Sequence, residues 1–223
     1  MHKQITLVLA TLALSAAAFG QTLVNDDSPL QIGYAANLTL GDSIVNISND
    51  GFLGGPATGS TVGNICANVY VFDPAEEEVA CCYCLTTPDG LYSLSAQKSL
   101  ISMTLTPAIP TSIVIKVTGT QPTAADGCNP ATVPSAAVGT PGSITHGLLL
   151  WGTTLEPNSS TGVLGTVPVT FKGASLNTGV FASGASGGEI GQLASLCSFI
   201  QLDGTGYGIC KGCSTGALSG SKN

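Results

Sequence analysis

The chain has 223 residues and carries 6 lysines against 13 acids, for a net charge of -7. Only 9% of its residues are charged, where an ordinary soluble domain has about 25%, while 43% are hydrophobic. That balance excludes a disordered acidic tail. There is no arginine for bidentate phosphate contacts, so nucleic acid is not an expected partner.

Met1-His2-Lys3-Gln4 is a short basic start, and Ile5 to Ala18 is an almost unbroken apolar run. The run falls short of the ~20 residues of a membrane span but suits the apolar stretch of a secretory leader. Ala18-Phe19-Gly20 puts small residues where a signal peptidase needs them, which sets cleavage before Gln21. Residues 1–20 are therefore read as a signal peptide and residues 21–223 as a single secreted domain with no membrane span. Loss of the leader leaves one histidine, His146.

Period-2 alternation dominates the mature chain. Ile32, Tyr34, Ala36, Leu38 and Leu40 occupy one face of the cleanest strand, with Gln31, Asn37 and Thr39 on the other. Val45 and Ile47 continue the pattern up to a turn at Asn49-Asp50-Gly51. Ile65 to Phe72 is apolar on both faces and reads as a central strand. Beyond a loop at Asp73-Pro74-Ala75-Glu76, strands are expected over Val79 to Leu85 and, after Pro88-Asp89-Gly90, over Leu91 to Ala96. Ser99 to Leu105 is ambiguous between helical turn and strand. Ser112 to Thr118 is a strand, and Gly119 to Thr145 is a long loop tied down by Cys128. Gly147 to Leu155, Val163 to Lys172 and Val180 to Ala182 supply further strands. Glu189 to Leu202 reads as the one helix, capped by Ser186 and buried along Ile190, Leu193, Cys197 and Ile200. The expected fold is mainly β: a disulfide-stapled β-sandwich with one C-terminal helix packed on it.

Eight cysteines (Cys66, Cys81, Cys82, Cys84, Cys128, Cys197, Cys210, Cys213) in an exported chain read first as up to four disulfides. On a strand, Cys81 and Cys82 point to opposite faces and need different partners. Cys82 and Cys84 share a face, so both can meet the Cys210/Cys213 pair. A tetrahedral zinc site from these thiolates is the rival arrangement, disfavoured by an oxidising compartment. A redox role for Cys210-x-x-Cys213 lacks the helix that would lower the thiol pKa.

Several motifs suggest catalysis without completing it. Gly184-Ala185-Ser186-Gly187-Gly188 matches a nucleophile elbow, but no histidine follows residue 146. Gly41-Asp42-Ser43-Ile44 is similar to the first block of a serine esterase family, yet the alternation of strands and helices is missing. The acidic run Asp73, Glu76, Glu77 and Glu78 reads as a solvated loop and as a weak calcium site. Sequons stand at Asn37, Asn46 and Asn158. Trp151, after three leucines on an expected strand, reads as core.

The block Ile65-Cys66 … Cys81-Cys82-x-Cys84 … Pro88-Asp89-Gly90-Leu91 … Gly208-Ile209-Cys210-x-x-Cys213 resembles a set of uncharacterised exported bacterial proteins. The resemblance implies a shared disulfide-stapled fold and no known activity. With so few catalytic side chains, the chain is expected to be a non-enzymatic extracellular structural protein without a cofactor. It would be a self-associating fibre or matrix subunit, with Ile32, Tyr34, Ala36, Leu38 and Leu40 as the donor strand of a β-strand addition. The alternative is a calcium-assisted module that binds glycans or cell surfaces through Trp151 and exposed tyrosines.

Overall fold

The computed structural model describes residues 28–51, 63–123, 127–134, 142–158, 160–174, 188–211 and 213. Among these residues, nine strands and one α-helix follow in chain order: β1 (Leu30–Ala35), β2 (Ile44–Asn49), β3 (Ile65–Phe72), β4 (Glu78–Thr86), β5 (Leu91–Ser95), β6 (Ile113–Thr120), β7 (Leu148–Pro157), β8 (Leu164–Thr170), β9 (Lys172–Gly173) and α1 (Glu189–Leu202). A single π-helical turn, Ala96–Leu100, follows β5 and takes in only Ser99 and Leu100 of the ambiguous stretch, whose remainder to Leu105 is bends and turns, neither helix nor strand. The strands form two antiparallel sheets, ordered β4-β3-β6-β1-β9 and β5-β2-β7-β8. The expected leader, Ser186 and the strand at 180–182 lie outside the described residues. At the helix start the N-cap is Gly188, which offers no side-chain cap.

Alternation decides what each sheet buries. Ala67, Val69, Val71, Ile115 and Val117 of the five-stranded sheet face Val45, Ile47, Leu94 and Leu148 of the four-stranded one in one continuous core. The other face of the five-stranded sheet is covered as well, since Tyr70 and Cys81 pack under Leu193, Cys197 and Ile200 of α1. Hence β3 is buried along its length, as an apolar run in mid-sheet requires. The outer face of the four-stranded sheet has no such cover among the described residues.

The first strand departs from its sequence pattern. β1 ends at Ala35, and its core-facing residues are Gln31, Gly33 and Ala35, not Ile32 and Tyr34. Gly33 is the reason: Phe171 lies against its backbone, and a Cβ there would come 2.5 Å from the ring. Asn37 then adopts a left-handed conformation, φ 55°. The chain swings so that Leu38 enters the core from a turn while Leu40 is left 64% exposed. A long strand read as one face is therefore a short strand and a bend, with the opposite face inward.

Candidate functional site

All eight sulfurs are paired: Cys66–Cys128, Cys81–Cys197, Cys82–Cys210 and Cys84–Cys213, with Cα separations of 4.8 to 5.8 Å. β4 supplies three of these bonds. Its pleat sends Cys81 outward to α1 and sends Cys82 and Cys84 inward, where both meet the C-terminal segment. The same segment seals the strand's free edge. The Cys81 N–H donates to the Gly208 carbonyl (2.8 Å) and the Cys210 N–H to the Cys81 carbonyl (3.2 Å), while the connection before β6 adds the Leu105 N–H to the Val79 carbonyl (2.8 Å).

The acidic run does not converge. Asp73 uses its carboxylate on its own turn, accepting from the N–H groups of Ala75 (2.9 Å) and Glu77 (3.0 Å). Glu76 and Glu77 are exposed. Glu78 is buried at 6% exposure, because a β-bulge between Val71 and Phe72 pairs it with Phe72 and turns it toward the Tyr70–Cys81 side of the sheet. Neither of its oxygens has a hydrogen-bond partner. Burial pushes its carboxyl up to about 8, against the opposing pull of the Lys116 ammonium. Burial also raises the Tyr70 phenol; the Thr118 hydroxyl works against this and Glu78 adds to it. The Tyr70 hydroxyl donates to the Pro130 carbonyl at 2.9 Å. Among the described residues, Glu78, Cys81 and Cys197 are the one group with three potential metal-ligand atoms close together, but the two sulfurs are bonded to each other.

A groove of about 250 Å³ opens beside this chamber, with Phe72, Asp73, Glu76, Lys116, Glu189 and Leu193 among the residues that line it. Lys116 sits 4.7 Å from the centre of the Phe72 ring and pairs with Glu189, the first residue of α1. The chamber therefore consists of a buried acid, a phenol and a rim lysine that ties the helix to the sheet.

The remaining motif residues are scattered. The Ser43 hydroxyl is buried without a hydrogen-bond partner, while Asp42 accepts from the Ser43 and Gln97 N–H groups and the Ser95 hydroxyl. His146 is exposed in the connection leading into β7. Of the sequon asparagines, Asn37 donates to the Leu155 carbonyl (2.7 Å), Asn46 accepts from Ser93 (2.7 Å), and Asn158 shapes the β7–β8 turn. The nucleophile-elbow motif lies outside the described residues, apart from Gly188.

Trp151 corrects the expectation of a core tryptophan. It is 43% exposed on the outer face of β7. The residues that alternate with it, Leu150 and Gly152, take the inward positions. Three consecutive leucines hid this phase, because Leu149 also points outward and stays half-buried on the open face.

The expected donor strand is engaged within its own sheet. β1 pairs with β6 along all six residues and with β9 at Gln31 and Ile32. Among the described residues, the four-stranded sheet ends in β5 and β8, and the five-stranded sheet ends in β4 and the two-residue β9. Comparison with family models, with curated proteins and with solved structures finds no match to this chain.

Proposed function

We propose that the chain is a non-enzymatic extracellular structural protein, a subunit of a surface fibre or matrix that assembles copy to copy by β-strand addition. Export fits the four disulfides, which belong in an oxidising compartment. Among the described residues no helix is long and apolar enough to cross a membrane.

The observation that carries the assembly reading is the contrast between sheet edges. The β4 edge of the five-stranded sheet is closed by backbone hydrogen bonds, whereas β8 and β5 end the four-stranded sheet without a further strand among the described residues. Both are uncharged, Leu-Gly-Thr-Val-Pro-Val-Thr and Leu-Tyr-Ser-Leu-Ser, although proteins that stay monomeric guard such edges with charge or proline, and the one guard here is Pro168 near the end of β8. They lie at opposite ends of one sheet, so β8 of one copy adding to β5 of the next makes a head-to-tail contact that does not close. That contact replaces the one expected from Ile32 to Leu40, of which Ile32 to Ala35 is already paired with β6 and the rest is a bend. Pro168 lacks an N–H, so the addition falls on the Leu164 to Val167 half of β8.

Thr166 is exposed and lies two residues from Pro168, so its N–H points to the same, outer side of the strand. A Thr166→Pro substitution removes a donor from the bare edge and leaves the β7 ladder intact. Sizing and electron microscopy of the intact chain should show oligomers that lengthen with concentration, and Thr166→Pro should abolish them. A strictly monomeric intact protein, or fibres that ignore the substitution, would refute assembly through this edge.

A further inference from the structure

The outer face of the four-stranded sheet has a chemistry that edge pairing does not use. One row crosses all four strands: Ser93 is opposite Asn46, Asn46 opposite Trp151, and Trp151 opposite Thr170. With strands about 4.8 Å apart, that row spans roughly 14 Å. Trp151 stands out of it, and the Asn46 amide beside it is held in place by the Ser93 hydroxyl at 2.7 Å. The next outward positions of β2 and β7 place Ser48 and Leu149 on one side of this row and Ile44 and Thr153 on the other.

No outward position of β2, β5 or β8, nor of β7 from Leu149 to Thr153, carries a charge, in a chain whose net charge is -7. Asp42 stands at the rim, where it accepts from the Ser95 hydroxyl. An uncharged surface does not suit a ligand recognised through ion pairs. An aromatic ring with amide and hydroxyl groups across the strands on either side, Asn46 and Thr170, and apolar Leu149, Ile44 and Pro168 close by matches a molecule with an apolar face and a hydroxyl-bearing edge, which describes a pyranose ring. The aromatic face packs against the sugar's C–H groups, and the amide and hydroxyls exchange hydrogen bonds with its hydroxyls.

We propose that this face is a binding platform for a neutral polysaccharide chain, with Trp151 as the stacking surface and Asn46, Ser93 and Thr170 as the polar contacts beside it. A flat platform suits an extended polymer lying across the strands; a closed pocket would suit a chain end. Calcium takes no part, because the acidic turn from Asp73 to Glu77 belongs to the other sheet. The site is present in a single copy and does not depend on assembly, although a filament would repeat it and raise avidity.

Trp151 is the chain's sole tryptophan, so its emission reports on this site alone. The full secreted chain is titrated with cello-, chito- and malto-hexaose, and its retention is measured on cellulose, chitin and starch, with alginate as an acidic control. The expected result is a saturable emission shift with one neutral series, retention on the matching polymer in the presence of EDTA, and none on alginate. Trp151→Ala should weaken that retention at least about tenfold, Trp151→Phe should restore part of it, and Asn46→Ala should weaken it further when combined with Trp151→Phe. Because Trp151 is exposed, Trp151→Ala should keep the folded circular-dichroism spectrum and the sizing profile of the intact chain. Emission unchanged by all three series together with no retention on any neutral polymer would overturn the platform, as would retention that Trp151→Ala leaves intact. Thr166→Pro should leave sugar binding to the single copy unchanged, so a failure of the platform and a failure of the assembly are told apart.

Discussion

A carboxyl group at the start of β4, preceded in sequence by two solvated glutamates, has lost its water to the layer above the sheet. Burial pushes the Glu78 carboxyl up to about 8 against the pull of the Lys116 ammonium, and no donor compensates its oxygens. The consequence for stability has a definite sign. Below the ordinary glutamate value of 4.5, folded and unfolded chains both hold the proton. As pH rises from there toward 8, the unfolded chain ionises first, so the folded state loses stability until the folded carboxyl titrates and the loss levels off. Glu78→Gln should remove this dependence: thermal unfolding of the variant should match the parent near pH 4 and exceed it by up to about 4 kcal/mol at pH 8 and above. Equal slopes for parent and variant across that window would contradict the burial of this carboxyl. Alternation does not single out Glu78, since a run of three glutamates reads as solvent-facing and a bulge leaves no periodic mark. Gly33 and Trp151 escape the pattern for a similar reason: their orientation depends on Phe171 and on the partner strands, far away in sequence.

The elements themselves are legible where a pattern runs uninterrupted. The apolar run of β3 begins and ends where alternation and its flanking turns place it, and α1 occupies the expected residues with the expected stripe buried. β1 is the exception, because two opposite phases are written into one stretch and only the bend at Asn37 separates them. α1 is also the element most dependent on a single covalent bond. Its outward residues Phe199 and Leu202 are 65% and 82% exposed, so its hold on the sheet comes from the buried stripe, the Lys116–Glu189 pair and Cys81–Cys197. That disulfide closes a separation of 116 residues. The double variant Cys81→Ser/Cys197→Ser should lower stability by about 2–5 kcal/mol, and hydrogen exchange should speed up in α1 more than in β6. Equal loss of protection in both elements would mean that the bond braces the whole sandwich, with no special role in retaining the helix.

For the molecule as a whole, covalent bracing is concentrated on one layer. Three disulfides leave β4 and one leaves β3, so all four tie the five-stranded sheet to its helix, loop and C-terminal cover, and none joins the four-stranded sheet. The braced side has its β4 edge covered, and the unbraced side ends in β5 and β8 with no further strand among the described residues and presents the uncharged face. Thiol titration of the denatured, unreduced chain should therefore find no free cysteine. A reactive pair accompanied by stoichiometric zinc would overturn the pairing and restore the thiolate-site reading.

By itself the sequence determined the β class, the helix, the even set of cysteines and the shared face that lets Cys82 and Cys84 meet the C-terminal pair. Each of these rests on local periodicity or on the pleat of one strand, which nearby residues fully specify. Only the tertiary structure decided which face of β1 and β7 points inward, that Glu78 is buried, and which sheet edges stay bare. Those outcomes depend on contacts between segments distant in the chain, a ring against a glycine or a helix above a bulge, and no local pattern records them.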